Sequence, residues 1–335
     1  MPVSITGPLV DRFGRVHTDL RISVTDRCNL RCVYCMPEAG VAFRPSAEIL
    51  RFEEIRRFVE AAARLGIREV RLTGGEPLVR KGVCRLVEML ADVPGIDDLA
   101  MTTNGVLLPE YAEALKAAGL SRLNVSLDTL DRRKFHEIAR RDGLPRVLEG
   151  IAAAERAGFQ RTKLNALAIR GYTEDEVVPL ARFARRRGLE LRFIEFMPLD
   201  GDDLWDARRV LPGEQILEIL TRALGPLERV TPEGSHGPAT VYRFLDGGPP
   251  IGLINSVSDP FCAHCSRLRL TADGKVRNCL FSKEEWDVRA VLRAGASDDR
   301  LAELIVEAVR AKRETHGCRS GRFSRTGRSM HQIGG

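Results

Sequence analysis

The sequence predicts an α/β fold: a parallel sheet wound with helices into a partial, TIM-type (β/α)6 barrel, followed by a smaller C-terminal α+β domain. Three observations carry this expectation. Short β-rich runs alternate with amphipathic helical stretches, and such alternation means parallel strands joined by right-handed crossovers. Glycines stand just past several helical patterns, where a left-handed C′ residue ends a helix. The rhythm fades after about residue 222.

The strand runs are 20–24, 69–72, 99–102, 122–127, 163–169 and 191–195. Helical patterns lie between them at 52–65, 83–90, 110–117, 144–157 and 174–187, with Gly66, Gly119, Gly158 and Gly188 closing four of them. Six βα units make a partial barrel rather than the full eight. Residues 231–238 form a Gly/Pro/Ser-rich connection. Beyond it come β-like runs at 240–245, 251–255, 267–271 and 275–277, the turn Ala272-Asp273-Gly274, a charged helix at 301–312 and a basic tail. The division expected is 1–225 for the barrel and 226–335 for the smaller domain.

The chain has 335 residues, 44% hydrophobic and 29% charged, which is ordinary globular usage and excludes wholesale disorder or a fibrous repeat. At about 150 residues per domain, two domains or a barrel with an appendage fit this length. The net charge of +6 suits an anionic partner but, spread over so long a chain, does not single out nucleic acid. No apolar run approaches the roughly 20 residues of a membrane span. The first residues carry Asp11, Arg12, Arg15 and His17 and no apolar signal core. A soluble, cytoplasmic protein is therefore expected, without membrane or nucleic-acid partners. Thiols stay reduced in that compartment, so the eight cysteines need a role other than disulfides.

Six of them form two tight trios: Cys28, Cys32 and Cys35 as C-x3-C-x2-C, and Cys262, Cys265 and Cys279 as C-x2-C-x13-C. Thiolates so spaced on a loop converge on a soft metal centre, zinc or an iron–sulfur cluster. Each trio is one ligand short of four, and an open position is where metal chemistry happens. The plainer alternative is structural zinc with a histidine as fourth ligand, for which His264, His236 and His316 are candidates. The spacing of the first trio is unusual for zinc. Cys84 falls in a helical apolar pattern and is expected to be a buried core thiol, whereas Cys318 in the basic tail has no evident partner.

Polar residues collect after the strands. The first trio follows the first strand, Gly74-Gly75-Glu76-Pro77 the second and Thr103-Asn104-Gly105 the third; Ser126 and Asp128 end the fourth and Glu195-Phe196-Met197 the sixth. Parallel α/β folds bind ligands at the C-terminal ends of their strands, so these groups are expected around one mouth. Taken singly, each is an ordinary βα turn.

The trio Cys28-x3-Cys32-x2-Cys35 with Tyr34, followed by Thr73-Gly-Gly-Glu-Pro77, resembles the signature of radical S-adenosylmethionine (SAM) enzymes. Met-Thr-Thr-Asn-Gly at 101–105, Asn-Val-Ser-Leu-Asp at 124–128, Arg-Phe-Ile-Glu-Phe-Met at 192–197, Phe-Cys-x2-Cys-Ser-Arg-Leu-Arg-Leu at 261–270 and the terminal Gly334-Gly335 narrow the resemblance. They point to the GTP 3′,8-cyclases of molybdenum cofactor biosynthesis, the MoaA family, from about Leu9 to the last residue.

The resemblance implies two 4Fe–4S clusters, one on each trio, in a lyase of the radical SAM type. The first would bind SAM at its unligated iron and yield a 5′-deoxyadenosyl radical; the second would grip the guanine of GTP. Tyr34, Gly75, Glu76, Ser126 and Met197 match SAM-binding positions, Gly75 because a Cβ there would obstruct the methionyl group. Arg21, Arg71, Thr102, Lys163, Arg267 and Arg269 match GTP-binding positions. The arginine fork suits phosphate, and Arg267 and Arg269, two apart in a β-like run, point to one face. Gly334 and Gly335 resemble a flexible catalytic tail that enters the active site, with His331 and Gln332 just before it. The implied product is (8S)-3′,8-cyclo-7,8-dihydroguanosine 5′-triphosphate, which a separate cyclic pyranopterin monophosphate synthase would consume. An external electron donor is required, and a homodimer is left open.

Two other readings compete. A peptide-modifying radical SAM maturase would carry more cysteines in its appended domain and lack the arginine pair after C-x2-C. A zinc-stabilised nucleic-acid-binding protein would need aromatics among its basic residues, yet aromatics are only 6% of the chain and the basic tail holds just Phe323.

Overall fold

The six expected strands form as β1 (Asp19–Ser23), β2 (Glu69–Thr73), β3 (Asp98–Thr103), β4 (Arg122–Ser126), β5 (Lys163–Ala168) and β6 (Glu190–Glu195). In this computed structural model, which describes residues 7–199, 201–230, 237–316 and 326–334, they lie side by side in chain order, all parallel. The crossovers are α1 (Phe52–Arg64), α2 (Val83–Ala91), α3 (Leu108–Ala117), α4 (Arg132–Ala139), α5 (Leu144–Arg156) and α6 (Val177–Arg187). Gly66, Gly119, Gly158 and Gly188 all have positive φ at helix ends, as expected.

Local signals explain the differences from the expected ranges. The third helix begins earlier because Pro109 suits its first turn. The stretch 174–187 divides into a short 3-10 turn, Glu174–Glu176, and the helix α6. The helix α4 was not anticipated. It has an N-cap, with the Asp131 carboxylate accepting from the Lys134 amide at 2.7 Å, but its buried side is only Phe135, Ile138 and Ala139. Cys84, expected in the core, is half-buried on α2 beside the buried stripe Val83, Leu86, Val87 and Leu90.

The remaining elements are α7 (Gly213–Leu224), β7 (Leu227–Val230), β8 (Thr240–Phe244), β9 (Ile251–Ile254), β10 (Arg267–Leu270), β11 (Lys275–Arg277), β12 (Trp286–Asp287), α8 (Val288–Arg293), α9 (Asp298–Arg310) and α10 (Met330–Ile333). Their strands join the same sheet at both edges. β9 pairs parallel with β6, and β10 pairs parallel with β1. The parallel run is therefore eight strands, flanked by antiparallel β8 and β7 at one edge and β11 and β12 at the other. One apolar cluster runs through both parts of the chain, from Leu20, Ile22, Ile55 and Phe58 to Leu268, Leu270, Ile305 and Val309. Among the described residues no helix is long and apolar enough to cross a membrane.

Candidate active site

Side chains alternate along a strand with period two, so register decides which of them share a face. Across three adjacent strands the register aligns Arg269, Arg21 and Arg71 in one row, with Arg267, Asp19 and Glu69 in the row before it. On the same face, across the next four strands, it aligns Thr102, Asn124, Lys163 and Glu190. These rows, Glu190 apart, line a cavity of about 700 Å³, within the usual range for a ligand site.

The cavity runs the length of the strands. Cys28, Gly75, Glu76, Asn104, Asp128 and Met197 follow strand ends, whereas Asp19, Lys163 and Arg267 open strands. Cys262 and Cys265 precede β10, and Cys279 follows its antiparallel neighbour β11, so the second trio sits at the starting end. The two cysteine trios thus occupy opposite ends of one chamber, and all six thiols are on its wall. Every residue expected to bind SAM or GTP lines that wall as well.

At the first end, the loop after β2 is pinned to the stretch before Cys28. The Gly75 amide donates to the Thr25 carbonyl at 2.7 Å and the Glu76 amide to the Arg27 carbonyl at 2.8 Å. The Glu76 carboxylate accepts from the Leu78 amide (3.0 Å), the Thr103 hydroxyl (2.8 Å) and the Asn104 amide (2.7 Å). Burial nevertheless outweighs these donors and pushes its pKa up to about 7. Tyr34 is oriented by its hydroxyl, which donates to Asp128 at 2.6 Å, while Asp128 also accepts from the Leu167 amide at 2.8 Å. The Asn104 amide group lies 3.7 Å from the Cys28 sulfur. Asp128 and Asn104 belong to motifs visible in the sequence, but their contacts depend on the fold.

The raised Glu76 value makes a testable statement. The folded protein holds an extra proton between the ordinary carboxylate value of 4.5 and about 7. This group's contribution to stability is therefore full below that window and is lost as pH rises through it. Glu76→Gln is expected to flatten that part of the slope in a plot of thermal midpoint against pH. An unchanged slope would show that Glu76 is not the group responsible.

At the other end the site is strongly basic. Burial, then Arg267, holds the Arg21 pKa well below its ordinary value, and burial brings Arg71 and Arg269 down to about 10. Asp19 stands among them with its pKa lowered: burial pushes it up, but Arg21, Arg267, Arg71 and Arg269 outweigh that. Arg267 lies 3.5 Å from Asp19. Nε of Arg21 and both Nε and Nη1 of Arg71 are buried without a hydrogen-bond partner. Such a surplus of buried, incompletely bonded cations is unfavourable by itself and fits a polyanionic ligand. Lys163, by contrast, is already paired with Glu190 at 2.7 Å. Glu190 also takes Arg192 at 2.5 Å, a cavity-lining cation not anticipated from the sequence.

A buried carboxylate connects the two ends. Glu195, the last residue of β6, accepts from the amides of Val257 and Ser258, each at 2.8 Å. It thereby ties the strand that leads to Met197 to the loop that leads to Cys262.

The donor chemistry of the trios fits iron–sulfur centres. All six thiols are free, and within each trio their charges act on one another. Among the described residues no three His, Cys, Asp or Glu side chains converge as the ligands of one metal ion, whereas a cluster takes each thiolate on a different iron. Of the histidines considered for zinc, His264 is exposed, while His316 has its backbone hydrogen-bonded to Cys262 and its ring against Phe281, with centroids 4.7 Å apart. His236 and Cys318 lie outside the described residues.

The tail, expected to be flexible, is docked through Gly334. Ser329 caps α10, the Met330 amide donates to the Leu199 carbonyl at 3.2 Å, and buried His331 places Nδ1 3.4 Å from the Cys35 carbonyl. Arg269 Nη1 donates to the Gly334 carbonyl at 2.6 Å. Gly334 has φ +88°, and a Cβ there would stand 2.9 Å from that of Ser23, so glycine is required on both counts. Gly335 lies outside the described residues.

Comparison with known proteins agrees with this geometry. Residues 22–184 match the radical SAM superfamily, and residues 189–318 match the family described as Molybdenum Cofactor Synthesis C. A GTP 3′,8-cyclase of Rhodopirellula baltica is 51% identical, covering 100% of this chain and 94% of the relative. One from Pelotomaculum thermopropionicum is 49% identical, covering 97% and 99%. Among solved structures, Streptococcus suis SuiB bound to S-adenosylmethionine shares the fold with a TM-score of 0.60 at 14% identity, over 85% of this chain and 67% of that one. AdoMet-bound anSMEcpe does so with a TM-score of 0.58 at 14% identity, over 92% and 81%. This chain belongs to the GTP 3′,8-cyclase family of the radical SAM superfamily.

Proposed function

We propose that this radical SAM enzyme converts GTP into (8S)-3′,8-cyclo-7,8-dihydroguanosine 5′-triphosphate, the first step of molybdenum cofactor biosynthesis, with two 4Fe–4S clusters. The carrying observation is the single chamber with a cysteine trio at each end and a row of buried arginines between them. Residues 226–335 contribute the second trio, Arg267, Arg269 and further wall residues such as Ile254, Phe261 and Lys312; residues 1–225 contribute the first trio, Arg21, Arg71, Thr102 and Lys163.

Cys28, Cys32 and Cys35 hold the first cluster, which when bound supplies the electron that splits SAM into methionine and a 5′-deoxyadenosyl radical. Around it, Tyr34, Gly75, Glu76, Ser126 and Met197 orient SAM. Cys262, Cys265 and Cys279 hold the second cluster and place the guanine. Arg21, Arg71, Arg267 and Arg269 take the triphosphate, with Thr102 donating a hydroxyl and Lys163 adding a charge. The chamber keeps the ribose near the radical and excludes competing hydrogen donors. Gly334 and Gly335 reach it from the C-terminus, and Arg269 holds the first of them. An external donor supplies the electron, a separate cyclic pyranopterin monophosphate synthase consumes the product, and the work is cytoplasmic.

Anaerobically reconstituted protein is expected to be brown, to bind about eight irons per chain as two four-iron clusters, and to form the cyclised nucleotide from GTP, SAM and dithionite. Colourless protein with stoichiometric zinc, or SAM cleavage that leaves GTP intact, would overturn the proposal.

A further inference from the structure

We infer that Lys312 is the counter-ion of the second cysteine trio: its buried ammonium, set against the Cys265 sulfur, raises the reduction potential of the centre bound there. The inference rests on the two-cluster reading above and assigns a positioning residue to it.

Lys312 lies two residues beyond the end of α9 and is 3% exposed. Its Nζ donates to the Arg267 carbonyl at 2.9 Å and stands 3.4 Å from the Cys265 sulfur. Among the described residues it has no carboxylate partner within ion-pair distance. The nearby Asp11 is committed to Arg15 at 2.6 Å and to His17 at 3.2 Å. A buried ammonium without an anion is strongly disfavoured, and the Cys265 sulfur beside it is the group that would supply negative charge with a centre bound.

The backbone at and after Lys312 is held by the N-terminal hairpin, residues 9–17, closed by the antiparallel bridge between Val10 and Val16. Arg15 donates to the carbonyls of Arg313 (2.7 Å), Glu314 (2.8 Å) and Cys262 (2.8 Å), so one guanidinium grips both the segment after Lys312 and a ligand of the trio. Arg12 Nε donates to the Lys312 carbonyl at 3.4 Å. A cation beside a cluster and a hydrogen bond to its sulfur both stabilise the reduced state and raise its potential. Through the Arg267 carbonyl, Lys312 also joins that centre to the strand carrying the triphosphate arginines.

The test uses the full chain bearing Cys28→Ser, Cys32→Ser and Cys35→Ser, in which only the second trio can hold a cluster. Iron content and the midpoint from a dithionite titration followed by EPR are compared for Lys312, Lys312→Met and Lys312→Arg. With Lys312→Met the midpoint is expected to fall, lowering the reduced-to-oxidised ratio at fixed potential about tenfold, which is about 59 mV for a one-electron couple. Lys312→Arg should restore most of it. Loss of iron in the Met variant with retention in the Arg variant also supports the inference. An unmoved midpoint in iron-replete Lys312→Met, or equal loss of iron from both variants, overturns it. No iron on the second trio with Lys312 in place would instead overturn the two-cluster reading.

Discussion

Replacing both Arg267 and Arg269 by alanine is expected to weaken GTP binding by about 10²-fold or more while SAM cleavage stays measurable. Hydrogen bonds to charged groups contribute about 1.5–3 kcal/mol each, and each 1.4 kcal/mol is about tenfold in affinity. The nucleotide-free protein should lose little stability, because the closely set guanidiniums of Arg21, Arg71, Arg267 and Arg269 mainly repel one another around Asp19. That combination distinguishes a ligand site from a structural ion pair, whose loss would destabilise the fold. Arg269 also holds the tail through Gly334, so Arg267→Ala alone separates phosphate binding from tail docking. Calorimetric titration with GTP and assay of 5′-deoxyadenosine give the two readouts. Equal loss of both would show that the triphosphate site is misplaced.

Gly75→Ala is expected to empty the first trio of iron and abolish SAM cleavage, with the second trio still loaded. A Cβ at Gly75 would land on the Arg27 carbonyl oxygen, with the carbonyl carbon at 2.6 Å and the Asp26 carbonyl oxygen at 2.9 Å. These are backbone atoms that cannot rotate away, and Cys28 is the next residue in the chain. Relief would require pulling apart the 2.7 Å and 2.8 Å bonds that fasten Gly75 and Glu76 to residues 25–27. Iron per chain should fall by about half, from eight towards four in the two-cluster protein. Full iron content in the variant would show that the loop yields more readily than its hydrogen bonds suggest. The glycine thus has a reason beyond room for the methionyl group: it lets two loops meet backbone to backbone.

Much of the site was legible because its signals are local. Cysteine spacing, the Thr73–Pro77 turn and the strand–helix alternation each lie within a few residues, and period-two alternation already put Arg267 and Arg269 on one face. The weaker elements were not legible for the same reason. β7 has only half-buried and exposed residues, so it carries no alternating apolar pattern; its place comes from pairing with β8. α4 buries only a short apolar face, and Asp128 and Asn104 show their partners only when distant loops meet.

By itself the sequence determined the chemistry available: two thiol trios, a glycine loop, a set of arginines and the strands to carry them. The tertiary structure alone decided where they act. Register set Arg269, Arg21 and Arg71 in one row, the pairing of β10 with β1 and of β9 with β6 drew the C-terminal segment into the same sheet, and the Arg15 hairpin brought Lys312 to Cys265. Spacing along a chain constrains only neighbours. Contacts between residues hundreds of positions apart depend on strand pairing and on compensating buried charge, and both exist only once the chain has folded.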